Sequence, residues 1–189
     1  MLIYLSETFT QYLSFLNLFT YITFRTGGAI LTSLFFSLIF GGLLINLLSN
    51  LQPVGQPIRS DGPERHIIEK AGTPTMGGIL ILLSILISVL IWSDLSNSFV
   101  WIALFSCFSF GIIGFFDDYK KIKSSNSGGL NALNKIILQV FFSLIIIYLI
   151  NINLPINLNS TLSLPFFKNL ALDLGYFFFP FGIFIIIGS

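Results

Sequence analysis

Between Gly27 and the C-terminus the chain repeats one pattern five times: an apolar run of 15 to 22 residues, closed at each end by charge or by turn residues. The runs are Gly27 to Leu48, Met76 to Trp92, Phe99 to Phe116, Ile136 to Ile150 and Leu174 to Ser189. Aliphatic and Phe side chains occupy every face of these segments, which suits lipid or a buried bundle and not an amphipathic surface helix. A helix needs about 20 residues to cross a ~30 Å hydrocarbon core, so the three shorter runs must borrow flanking residues. With 9% charged residues against 54% hydrophobic ones, the chain lies far from soluble-domain composition. The expectation is one all-α polytopic membrane domain over 1–189, a bundle of about five transmembrane helices.

Met1 to Phe24 carries Glu7 and no Lys or Arg before Arg25, so it lacks the basic start of a secretory signal. Residues 1–26 read as an interfacial lead-in lying along the membrane surface. Lys and Arg then give the orientation. Arg59, Arg65 and Lys70 fall between spans one and two, and Lys120, Lys121, Lys123 and Lys135 between spans three and four, while the other loops are almost bare. The positive-inside rule makes loops 49–75 and 117–135 cytoplasmic and puts the N-terminus outside. Segment 151–173, with Pro155 and Pro165, becomes a periplasmic loop with room for a short hairpin.

Asp117 and Asp118 stand at the end of span three with two lysines directly behind them. A carboxylate near a bilayer centre costs roughly 2.5 to 3.5 kcal/mol, and adjacent carboxylates repel, so a cation must meet them. Lys120, Lys121 and Lys123 are one source, and a divalent metal carrying a phosphorylated substrate is the other. A merely structural pair is disfavoured, because the C-terminal end of a helix repels anions. The lysines have the alternative role of fixing topology.

The stretch Lys70-Ala71-Gly72-Thr73-Pro74-Thr75-Met76-Gly77-Gly78 reads as a helix start. Thr73 is placed to cap, Pro74 suits the first helical position, and the positive helix end would face an anion beside Lys70. It equally reads as the plain start of a membrane helix, with glycines that admit a close neighbour. His66, beside Asp61, Glu64 and Arg65, suits a hydrogen bond within its loop or proton carriage. Cys107 is the sole cysteine and reads as a small apolar residue.

These pieces, with Asp61-Gly62-Pro63-Glu64-Arg65-His66, Gly114-Phe115-Phe116-Asp117-Asp118-Tyr119-Lys120-Lys121, Gly129-Leu130 and Lys135, closely resemble the phospho-N-acetylmuramoyl-pentapeptide transferase family along essentially the whole chain. The resemblance implies transfer of phospho-MurNAc-pentapeptide from UDP-MurNAc-pentapeptide to undecaprenyl phosphate. The products are lipid I and UMP, in the first membrane step of peptidoglycan synthesis, at the cytoplasmic face of a bacterial inner membrane. It implies Mg²⁺ as cofactor, with metal ligands unknown, and Asp117 and Asp118 as catalytic residues. Lys70 and Thr75 would contact the nucleotide substrate, and Lys121 and Lys135 would hold phosphates. Besides the two substrates, the implied partner is the lipid bilayer; a homodimer stays open, and nucleic acid is not a partner. The family has about ten spans and this chain five, so the expectation is an N-terminal fragment. The alternatives are a catalytically inactive truncated membrane segment and a sister transferase using another UDP-sugar. A transporter is disfavoured, since no inverted repeat and no mid-span charge is present.

Overall fold

The computed structural model describes residues 2–9, 14–52, 55, 74–124, 129–155, 158–163 and 171–188. Lys70, Thr73 and His66 lie outside the described residues. A short α1 (Leu2–Phe9) and a 3-10 segment (Ser14–Thr20) lead into α2 (Ile22–Leu51). Helices α3 (Gly78–Trp92), α4 (Ser98–Ser124) and α5 (Ala132–Asn153) follow. Strands β1 (Thr161–Ser163) and β2 (Ala171–Asp173) then pair antiparallel with Leu162 opposite Leu172, and a 3-10 turn (Gly175–Phe177) enters α6 (Phe178–Gly188). The protein is an all-α membrane helix bundle with one small hairpin.

Three helices, α2, α4 and α5, are long and apolar enough to cross a membrane; α3 and the Gly175–Gly188 helix are apolar but shorter. The 30 residues of α2 and 27 of α4 reach about 45 and 40 Å at 1.5 Å per residue, longer than a ~30 Å core. Helices therefore overrun the apolar runs. The first begins at Ile22 and not Gly27, the third ends at Ser124 and not Phe116, and the fourth begins at Ala132 and not Ile136. Most of segment 117–135 is thus helical. Charged residues spaced three and four apart pair along the extension of α4, and the next glycine is Gly128, so nothing breaks the helix at Phe116.

One expected start differs. Pro74 does not open α3; the helix begins at Gly78 with Gly77 as its N-cap, and Met76 takes a left-handed φ of 72°. The cause lies in a long-range contact. The buried Gln52 side chain, just past α2, accepts from the Thr75 N–H (2.9 Å) and donates to the Thr75 carbonyl (3.4 Å). A backbone held on both polar groups by a side chain is not free to start a helix turn.

Consecutive helices pack on one another: α2 on α3, α3 on α4, α4 on α5 and α5 on α6. Small residues stand in the seams among large aliphatic ones such as Ile102, Leu104, Ile113, Ile146 and Ile147. Thr32 and Ser88 hydroxyls lie 2.8 Å apart across α2 and α3, and Ser88 also donates to the Ala29 carbonyl. Ser84, Ser109 and Ser143 are buried, whereas Ile30, Leu38, Leu43, Phe141 and Phe184 are exposed. Buried hydroxyl residues together with many large apolar side chains outside is the arrangement expected where the solvent is lipid. At the end of α3, Trp92 stacks on Phe19 (5.7 Å) and covers Gly28, where a side chain would collide with the indole.

Candidate functional site

Asp117 and Asp118 are neighbours on a helix, so their side chains diverge by about 100°. They serve different partners. Asp117 turns to the start of α5: its Oδ1 accepts the Leu130 N–H (2.9 Å), and its Oδ2 meets Lys121 Nζ (2.6 Å) and Lys135 Nζ (3.8 Å). Asp118 turns to the approach of α3: its Oδ2 accepts from Thr75 Oγ1 (2.8 Å) and its Oδ1 from Lys121 Nζ (3.1 Å). One ammonium, Lys121, therefore bridges both carboxylates, from three and four residues along the same helix face. The four carboxylate oxygens all have partners.

The extension of α4 changes the electrostatic setting. The pair sits about two turns before the helix end and not at it, so the terminal dipole, which acts within the last turn, contributes little. Lysines hold the charge in its place. Beyond Phe116 the helix is no longer apolar: five of its last eight residues are charged, which marks the site as lying past the apolar span. Burial pushes the Asp117 carboxyl up, but the hydrogen bonds from Lys121 and the Leu130 N–H, with the charges of Lys121 and Lys135, outweigh it and hold the group below the ordinary carboxylate value. The hydrogen bond to Asp117 raises Lys121 above the ordinary lysine value, opposed by partial burial and helped by the bond to Asp118 and both carboxylate charges.

The structure thus brings Thr75, Asp117, Asp118, Lys121 and Lys135 together from α3's approach, α4 and α5. Two groups missing from the sequence reading complete the cluster. Gln52, 23 residues before Thr75, orients it, and the Leu130 backbone N–H caps Asp117. Gln52 follows Asn46, Ser49 and Asn50 at the polar end of an apolar helix, so the sequence does not single it out, and a backbone N–H offers no signal. Alongside Asp118 an apolar cavity of about 490 Å³ opens between α3 and α4, walled by Ile79, Leu82, Ile85, Phe108 and Ile112. Cys107 lines it as a small apolar residue. Among the described residues no group of three or more His, Cys, Asp and Glu side chains stands together as a ready metal site.

Chemically, the cluster is a balanced set of two carboxylates and two ammonium groups, with the Thr75 hydroxyl and the Leu130 N–H as further donors. Residues 70–82, which run from Lys70 through Thr75 into α3, match the phospho-N-acetylmuramoyl-pentapeptide-transferase signature 1. The whole chain has close relatives as well. The phospho-N-acetylmuramoyl-pentapeptide-transferase of Rickettsia prowazekii (strain Madrid E) is 54% identical over 173 residues, 92% of this chain and 47% of that protein. Those of Rickettsia felis (strain ATCC VR-1525 / URRWXCal2) and Rickettsia akari (strain Hartford) are each 55% identical over the same shares. This chain belongs to the phospho-N-acetylmuramoyl-pentapeptide transferase family. It spans about half the length of the curated relatives it matches, corresponding to their N-terminal half. Family membership and three long apolar helices together make it a multi-pass membrane protein.

Proposed function

We propose that this chain supplies the acceptor-side half of a site that transfers phospho-MurNAc-pentapeptide from UDP-MurNAc-pentapeptide to undecaprenyl phosphate. The observation that carries the reading is the cluster itself. Two carboxylates and two lysines meet beside the family signature and next to an apolar cavity, where a phosphate on a lipid tail and a nucleotide from water can converge.

In the reaction an oxygen of the lipid phosphate attacks the sugar-linked phosphorus of the donor, the bond to the bridging oxygen breaks, and UMP leaves with that electron pair. Both reactants are anions, so the barrier is lowered by positive charge placed where negative charge gathers. Lys121 and Lys135 offer that charge. Asp118, the more exposed carboxylate and the one at the cavity, orients or deprotonates the lipid phosphate. Asp117, more deeply placed, holds the two ammonium groups in position. Thr75 fixes Asp118, and Lys70 joins it in nucleotide contact.

Mg²⁺ is the implied cofactor, and the hard oxygen donors present suit it. Magnesium is commonly held by one or two carboxylates with substrate phosphates and water completing its shell, so the more exposed Asp118 would offer it an oxygen with donor oxygens making up the rest, while both Asp117 oxygens stay with Lys121, Lys135 and the Leu130 N–H. When bound, it supplies charge neutralisation on the pyrophosphate. In the membrane, both Lys- and Arg-rich segments face the cytoplasm and the N-terminus lies outside, in the inner membrane of a bacterium.

The test is UMP release from UDP-MurNAc-pentapeptide, undecaprenyl phosphate and Mg²⁺. It is run on the purified chain alone and on the chain joined to the remaining half of the Rickettsia prowazekii relative. Metal-dependent release by the joined protein, lost in Asp117→Asn and in Asp118→Asn, is expected. Turnover at the parent level in both variants would overturn the site.

A further inference from the structure

Asp117 receives its third partner from a peptide segment that lies directly on it. The Leu130 N–H donates to Oδ1, and the residue before it, Gly129, has a left-handed φ of +52°. A Cβ at Gly129 would stand 2.6 Å from Asp117 Oδ1, 3.1 Å from its Cγ and 2.9 Å from Lys121 Cε. None of these atoms is free to withdraw. Asp117 is 8% exposed and tied on both oxygens, and Lys121 is pinned by its ammonium to two carboxylates. The position therefore makes two demands, a backbone conformation that L residues seldom adopt and the absence of any side chain.

We infer that Gly129 is a positioning residue for Asp117: its bare backbone lies flat against the carboxylate, delivers the Leu130 N–H to Oδ1, and leaves Oδ2 as the oxygen through which Asp117 acts on Lys121 and Lys135. The inference deepens the proposed site but stands on geometry that exists without turnover. If Asp117 works through one oxygen, rotation of its carboxyl is removed before any substrate arrives. Positioning of that kind matters because displacement of a charged group by an ångström at a reacting centre costs orders of magnitude in rate.

Two variants separate the demands. Asn tolerates the left-handed region far better than Ala does, yet both bring a Cβ against the carboxylate. Amide hydrogen exchange at Leu130 is measured in the 189-residue chain in lipid nanodiscs, with the Ile113 amide of α4 as the reference for intact folding. Gly129→Ala and Gly129→Asn should both speed Leu130 exchange at least about tenfold, the loss of one charge-assisted hydrogen bond. Wild-type exchange in Gly129→Asn would overturn the inference, since conformation alone would then explain the glycine. Should either variant disturb Ile113 as well, Asp117→Asn carries the test, because it keeps Gly129 and weakens the acceptor. Faster Leu130 exchange is expected there, and unchanged exchange overturns the contact.

A turnover arm in the joined protein shows whether the role reaches the chemistry. Gly129→Ala should lower kcat at least about tenfold, and Gly129→Asn, which accepts the left-handed φ yet brings the same Cβ against Asp117, should lower it by a similar factor. Parent-level kcat in Gly129→Asn would overturn the assignment. Absence of turnover in the parent joined protein would count against the proposed function and leave the exchange result to decide Gly129.

Discussion

Lys121 is the residue on which the cluster turns. Its ammonium is the sole described group in contact with both carboxylates, whose charges would otherwise stand on adjacent residues with no shared cation. Lys121→Ala should lower stability by about 1.5 to 3 kcal/mol, the range for hydrogen bonds to charged groups, read as a fall in the unfolding midpoint in nanodiscs. Arg at the same position, planar and longer, should restore stability more than it restores turnover. Thr75→Val keeps the shape of that residue and deletes its donor to Asp118, and a loss of about tenfold in turnover is expected with the fold intact. The sign of the pH effect follows from the two shifts. Asp117 is held below its ordinary value of 3.8, so its contribution is full above that value and lost as pH falls through its lower, folded one. Lys121 is held above 10.5, so its contribution is full below that value and lost as pH rises past it. Stability referable to this pair should therefore stay flat across the neutral range, and a midpoint that drops between about pH 6 and 8 in the parent but not in Lys121→Ala would contradict the assignment.

At the scale of elements, what could be read beforehand was decided by range along the chain. The five apolar runs predict five helices because lipid selects for them residue by residue, and each is present. Their ends were less legible. Charge after Phe116 reads as loop, yet Asp117 and Lys121 at a spacing of four support another two turns of helix. The start of α3 departs from its local pattern for a tertiary reason: Gln52 takes both polar groups of Thr75 across 23 residues, and no local pattern announces it. Likewise Asp117, Asp118, Thr75, Lys121 and Lys135 could be named from residue type and motif, whereas the Leu130 N–H belongs to the backbone and is visible in three dimensions alone. Packing between elements gives its own prediction. Gly28→Leu on α2 would force the Trp92 indole of α3 aside, and overpacking of this kind costs about 1 to 3 kcal/mol, to be read in the unfolding midpoint against Gly27→Leu. At Gly27 a Cβ meets open space, so that control should change little.

For the molecule as a whole, the proposed orientation makes the turn between α3 and α4 the opposite face from the aspartate pair. Ser96 lies in that turn, exposed, and accepts no burden from the bundle. With Cys107→Ser as background, a cysteine placed at Ser96 should react with an impermeant maleimide from outside intact cells, and one placed at Lys120 should react after the membrane is opened. The reverse pattern would invert the topology. The cluster also has a consequence for how such a protein is made. Two carboxylates and two ammonium groups close a formally balanced set from within the chain, and every oxygen is already hydrogen-bonded or ion-paired. A zinc finger must wait for its ion before it can fold. This chain's carboxylates already have partners from within it, so newly inserted helices can settle on one another before any ion or substrate arrives.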